Sequence, residues 1–128
     1  MAINTIPVFP ISWQTAMARI NTANANLDGT GTIADIYTAG TSGALIYHIQ
    51  VKAEVTTTAG MIRLYIKKAG TYYIFDELIV TAITKSATVP SFVQTAPYNI
   101  KIEAGDIISA STEKAEMFSV TVFGGEYE

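Results

Sequence analysis

Few residues in this chain have the type and spacing to do chemistry. Asp76 and Glu77 are adjacent carboxylates, the commonest raw material for acid/base work. Neighbours on an extended strand point to opposite faces, so these two cannot flank one bond, and they mark a turn or a bulge instead. His48 is the single histidine. It falls in the middle of a strand pattern, beside Gln50 and Lys52, with no carboxylate in evidence to orient it. The reading is a solvent-facing or interface imidazole rather than a general base. Asp28-Gly29-Thr30-Gly31 invites a calcium or phosphate reading, yet it lacks the ligand spacing of an EF-hand loop, the lysine of a P-loop, and a following helix. It reads as a turn. Lys67-Lys68 and the seven tyrosines are the ingredients of base stacking over a basic groove. Two lysines in a chain of net charge -3 and pI near 5.0 do not make one, so no nucleic acid is expected. The tail Glu126-Tyr127-Glu128 reads as a solvated end.

Composition removes further classes. With no cysteine there is no disulfide framework, thiolate nucleophile or sulfur-ligated metal. With one histidine there is no histidine cluster. No metal, cofactor or enzymatic activity is therefore expected. The first six residues, Met1 to Ile6, are too mixed for a secretory signal, and no stretch approaches the roughly 20 apolar residues of a membrane span. No membrane partner is expected.

The elements that must position any site are strands. Hydrophobic residues make up 49% of the 128 and charged residues only 15%, which is a folding composition with some apolar surface to spare. Ile (17), Thr (17) and Val (8) stand against only 4 Leu. That bias stiffens χ1 and fits a pleated sheet better than a helix. Alternation of period two is clearest from residue 44 to 55. There Leu45, Tyr47, Ile49, Val51, Ala53 and Val55 form an apolar face, and Ala44, Ile46, His48, Gln50, Lys52 and Glu54 a mostly polar one. Residues 62–67 alternate in the same way, and Thr56 to Gly60 between the two runs reads as a hairpin connection. Residues 98–103 and 107–111 flank an Ala104-Gly105-Asp106 turn, and 118–122 alternate until Gly124-Gly125. Weaker patterns cover 14–21 and 32–38, with a polar loop from 24 to 31.

Residues 72–83 break the rule. Tyr72, Ile74, Leu78, Val80 and Ala82 occupy one parity, while Tyr73, Phe75, Ile79 and Ile83 occupy the other. A strand apolar on both sides in a small sandwich either carries a bulge or faces another subunit. On the second alternative Tyr73, Phe75, Ile79 and Ile83 form the subunit interface.

Residues 1–13 hold Pro7 and Pro10 among Ile6, Val8, Phe9, Ile11 and Trp13, a composition that blocks helix and favours an extended apolar arm. Either the arm lies across its own domain, or Ile6, Pro7, Val8, Phe9, Pro10, Ile11 and Trp13 bind a partner. The expected organisation is an arm over 1–13 and a sandwich over 14–128. The fold class is all-β, an antiparallel β-sandwich of about eight strands with jelly-roll or related Greek-key topology.

The C-terminal pattern carries a family likeness. Tyr98-Asn99-Ile100-Lys101-Ile102, the Ala104-Gly105-Asp106 turn, Ile108-Ser109-Ala110-Ser111 and Phe118 through Tyr127 resemble jelly-roll capsid decoration (cement) proteins and related virion modules of tailed bacteriophages. The likeness covers about residues 30 to 127. It implies a non-enzymatic virion protein on the outer capsid surface, made in the bacterial host cytoplasm. Its partners would be the major capsid protein, clamped through the terminal arm, and its own copies, in a homotrimer. A clamp needs apolar area rather than chemistry. At roughly 25 cal/mol per Å², anchors such as Phe9 and Trp13 contribute several kcal/mol before association costs. The alternative is a fibre, spike or receptor-binding module whose aromatic residues, Tyr72-Tyr73 foremost, cover a host glycan.

Overall fold

The structure, a computed structural model, describes residues 10–127. Eight strands follow one another: β1 (Ser12–Ile20), β2 (Ala34–Thr38), β3 (Ala44–Ala53), β4 (Gly60–Lys68), β5 (Thr71–Val80), β6 (Val93–Ile102), β7 (Ile107–Thr112) and β8 (Phe118–Glu126). They form two four-stranded antiparallel sheets of order β1-β8-β3-β6 and β2-β7-β4-β5. Successive strands change sheet at nearly every connection. The result is an eight-stranded sandwich in which two Greek keys are rolled together, the jelly roll.

One connection stays within a sheet. Ala69 and Gly70, both with positive φ (52° and 83°), join β4 to β5 as a two-residue hairpin, the backbone twist that such loops require. One expected connection is of another kind. Residues 56–60 are a crossover between sheets, because β3 and β4 lie in different layers. The expected Ala104-Gly105-Asp106 turn joins β6 to β7, and it carries the chain from one sheet to the other. The Asp106 carboxylate holds this corner, accepting from Lys68 Nζ (2.7 Å) and from the backbone N–H of Glu103 (3.0 Å).

The core between the layers is built of Ile20, Ile46, Ile49, Val51, Ile62, Leu64, Leu78, Val80, Phe92, Ile102, Ile108, Phe118, Val120 and Val122. Most come from strict alternation, but in two strands a bulge resets it. In β3, Ile46 pairs with Gly124 of β8 and His48 with Phe123, so Tyr47 is the extra residue. Ala44 and Ile46 face inward before it, and Ile49, Val51 and Ala53 after it. The expected face containing Leu45 and Tyr47 is therefore corrected: both leave the core side. In β5, Leu64 pairs with Asp76 and Tyr65 with Ile74, which makes Phe75 the extra residue. An inserted residue shifts every later side chain by one position, and that is why residues 72–83 look apolar on both parities.

The sandwich begins earlier than residue 14. Ser12 and Trp13 are the first residues of β1, in register with Glu126 and Gly125, and the Ile11 N–H donates to the Glu126 carbonyl (2.8 Å). Glu126 and Tyr127 are not a solvated end either, and Glu128 lies outside the described residues. Glu126 lies in β8, and its carboxylate accepts from the Gly40 N–H (2.9 and 3.2 Å), while Lys101 Nζ sits 5.6 Å from the centre of the Tyr127 ring.

Candidate functional site

The two sheets present opposite kinds of outer face. On the β2-β7-β4-β5 sheet the outward side chains include Arg63, Tyr65, Lys67, Asp35, Tyr72, Glu77, Ser109 and Ser111. Residues 21–33, between β1 and β2, fold back over them. Asn24 donates its N–H to the Thr112 carbonyl, and Arg63 and Tyr65 reach up to the carbonyls of Asn24 and Asn26 (3.3 Å each). Arg63, its side chain only 9% exposed, pairs with Glu113 (2.7 Å) and Glu77 (3.4 Å). Asp35 accepts from the hydroxyls of Tyr72 (2.8 Å) and Ser109 (2.9 Å) and lies 3.5 Å from Lys67 Nζ. Burial works against ionisation of Asp35, but those two hydroxyls and the lysine outweigh it and hold the carboxyl below its usual range.

The Asp28 turn belongs to the covering loop. Its carboxylate accepts from both the N–H and the hydroxyl of Thr30, and Asn24 donates its amide to the carbonyls of Thr30 and Thr32 (3.0 Å each). This is a self-satisfied loop. Among the described residues no group of three or more His, Asp or Glu side chains could share a metal ion.

The outer face of the β1-β8-β3-β6 sheet carries no such cover among the described residues. Trp13 and Met17 of β1 stand 63% and 65% exposed, and Tyr47 and Phe123 are half-buried beside them. Trp13 meets Tyr47 edge to face with ring centres 5.3 Å apart, Tyr47 meets His48 at 5.1 Å, and Phe123 lies 6.3 Å from Tyr47. Gly125 makes room for this arrangement. A Cβ there would come within 2.9 Å of the Trp13 ring and 2.5 Å of the Pro10 side chain. Next to the aromatic group, Tyr47, His48, Gln50, Thr95 and Phe123 line a shallow open recess of about 320 Å³. The bulge at Tyr47 creates it, because two consecutive side chains, Tyr47 and His48, then lie on one face.

The residues nominated from sequence fall out as follows. Ile6, Pro7, Val8 and Phe9 lie outside the described residues. Pro10 and Trp13 pack at Gly125 on the aromatic face, and Ile11 is exposed at its corner. The four residues nominated on the second face of β5 do not share a face. Phe75 packs against the core and sets its ring edge-on to Tyr98 (5.8 Å), Ile83 also packs on the core, and Tyr73 is exposed at the sandwich edge. Ile79, 66% exposed, is the one that points outward from the sheet. Asp76 and Glu77 do point to opposite faces, Asp76 accepting from the Tyr98 hydroxyl (2.6 Å) and Glu77 pairing with Arg63. Burial first, and then Asp76, push the Tyr98 hydroxyl well above its ordinary pKa. Missed altogether was the gathering of Trp13, Tyr47 and Phe123, which are 34 and 76 residues apart along the chain and meet only through strand pairing.

Comparison with known proteins finds likeness in fold alone. No family model matches the sequence, and no curated protein matches it. Among solved structures, a chain in the acidic stable capsid structure of Helicobacter pylori bacteriophage KHP30 is similar over 94% of this chain and 92% of its own, with a TM-score of 0.61 and 11% identity. Eiger TNF from S. frugiperda is similar over 92% of this chain and 93% of its own, with a TM-score of 0.58 and 9% identity. At such identities the shared property is the jelly-roll sandwich.

Proposed function

We propose that the chain is a non-enzymatic structural protein of a phage virion, a capsid decoration (cement) protein. It would bind the outer surface of the head and clamp neighbouring subunits of the major capsid protein. The observation that carries this reading is the likeness, almost end to end in both chains, to a chain in a phage capsid structure. The described surface is consistent with it, in that Ile11, Trp13, Met17 and Ile79 offer exposed apolar area for contact. The clamp in this reading is residues 1–9, which precede Pro10 beside Gly125 on the aromatic face. Nine residues in extended form span up to about 30 Å, enough to reach across a neighbouring subunit's surface. Self-association into a homotrimer uses the outer side of β5 around Ile79 rather than the four-residue set expected from sequence. Many copies on a symmetric shell would add avidity to a modest single contact.

The test is reconstitution. Phage heads assembled without the protein are incubated with the full chain or with a chain starting at Pro10, and binding and the temperature of shell rupture are measured. The full chain is expected to bind and raise the rupture temperature, and the shortened chain to stay folded and unbound. Failure of the full chain to bind the heads overturns the reading.

A further inference from the structure

We infer that the recess on the outer face of the β1-β8-β3-β6 sheet is a binding site for a neutral hexopyranose glycan. The inference does not depend on the capsid reading, and it moves the glycan alternative from Tyr72-Tyr73, whose residues serve the opposite sheet and its edge, to β3, β6 and β8. The recess is lined by two aromatic rings, Tyr47 and Phe123, and three polar side chains, His48, Gln50 and Thr95, with the exposed Trp13 ring at its margin. The side chains of Tyr47, His48, Gln50 and Thr95 make no hydrogen bond to any described residue. Between them they offer an amide, two hydroxyls and an imidazole, donors and acceptors both.

That combination selects the ligand by exclusion and by fit. A phosphate or a nucleic acid needs cations, and no described lysine or arginine lines the recess: on the same outer face Lys52 Nζ donates to the Ser91 carbonyl (3.2 Å), Lys101 lies over Tyr127 and Arg19 pairs with Glu54 (2.8 Å). An acidic ligand lacks a partner for the same reason. A purely apolar protein anchor would strip water from four polar side chains and give them nothing in return. A pyranose ring has an apolar C–H face for the rings and hydroxyls around its rim for the polar groups. An apolar recess with a few convergent polar groups is what a small-ligand site requires, and about 320 Å³ accommodates a sugar ring. Its shallow, open form favours one residue within a longer chain over an isolated monosaccharide, with Trp13 placed to cover the next residue.

The experiment is titration of the full chain, followed by NMR amide shifts, with maltohexaose, chitohexaose and mannohexaose as neutral probes and oligogalacturonate as an acidic one. At least one neutral probe should shift the amides of His48, Gln50, Thr95 and Phe123, with a Kd of about 1 mM or tighter. Tyr47→Ala should weaken that binding about tenfold, the scale of one aromatic contact. Gln50→Leu, which keeps the volume and removes the amide, should weaken it as well, and Tyr47→Phe should retain most of it. Urea denaturation of each variant checks that it is folded. The inference is overturned if no neutral probe shifts these amides at millimolar concentration, if only the acidic probe does, or if Tyr47→Ala and Gln50→Leu bind as the parent does. It is also overturned if light scattering shows a dimer that Tyr47→Ala dissolves, since the face would then belong to a second copy. Binding to phage heads by Tyr47→Ala keeps the two readings separate, because the capsid proposal places attachment in residues 1–9.

Discussion

The two outer faces of this sandwich come from the same fold and similar strands, yet they end in opposite conditions. On the β2-β7-β4-β5 sheet Arg63, Lys67, Asp35 and Glu77 have charged or hydroxyl partners, and the chain's own 21–33 segment lies over them. On the β1-β8-β3-β6 sheet no described segment lies over the exposed Trp13 ring, the half-buried Tyr47 and Phe123 rings or the side chains of His48, Gln50 and Thr95. The contrast teaches where stability and function separate. The covered face adds polar contacts to those of the core, and the open face carries the recess.

The comparison breaks first at Arg63. Arg63→Met removes the buried guanidinium from Glu113, Glu77 and the Asn24 carbonyl and should cost about 2–3 kcal/mol in urea denaturation, the upper part of the range for hydrogen bonds to a charged group, since the two carboxylates themselves stay in contact with water. Tyr47→Ala on the open face should cost no more than about 1 kcal/mol. Equal costs would dissolve the distinction between the faces.

Acid should act through the ionic side. Burial opposes ionisation of Asp106, but Lys68 and the Glu103 N–H outweigh it, so its pKa is lower folded than unfolded. A carboxyl depressed in this way stabilises fully above the unfolded value, near 3.8, and loses that contribution as the pH falls through the folded value. Asp106→Asn should therefore cost about 1.5–3 kcal/mol at pH 7, the range for a hydrogen bond to a charged group, and the gap to the parent should narrow as the pH falls below 3.8. A gap unchanged by pH would show that Asp106 acts by shape rather than charge.

A smaller effect sharpens the open face. Gly125→Ala sets a methyl against the Trp13 ring and Pro10, and should cost about 1 kcal/mol by overpacking. Trp13 is the single tryptophan, so its fluorescence reports the displacement directly. An unmoved spectrum would mean that the ring is not seated on Gly125. The smallest expected change is Ile79→Glu, which should alter the stability of the single domain by less than about 0.5 kcal/mol because the side chain lies outside its core. Native mass then decides whether β5 joins copies: a trimer reduced to monomers supports it, and an unchanged mass removes it.

Much of this was legible from residue types. The eight strands follow from β-branched composition and period-two patterning, and the separation of Asp76 from Glu77 follows from the pleat. What failed was parity across Tyr47 and Phe75. Periodicity carries no mark of a bulge, since the inserted residue is itself a good strand former, and so the β3 face was out of phase before Tyr47 though right from Ile49 onward, and the β5 set split across faces. Thr56 to Gly60 failed for a related reason: a hairpin and a crossover share the same turn residues, and only the position of the next strand tells them apart.

The sequence by itself determined that the chain is all-β, that it lacks sulfur chemistry and histidine clusters, and that an apolar segment precedes the first strand. These are properties of side chains and local alternation, which need no distant partner. The tertiary structure alone decided which strands became neighbours, and with that which face was covered and which rings gathered. Trp13, Tyr47 and Phe123 meet because β8 lies between β1 and β3. That order is set by long-range pairing, a free-energy balance over the whole chain that no local pattern encodes.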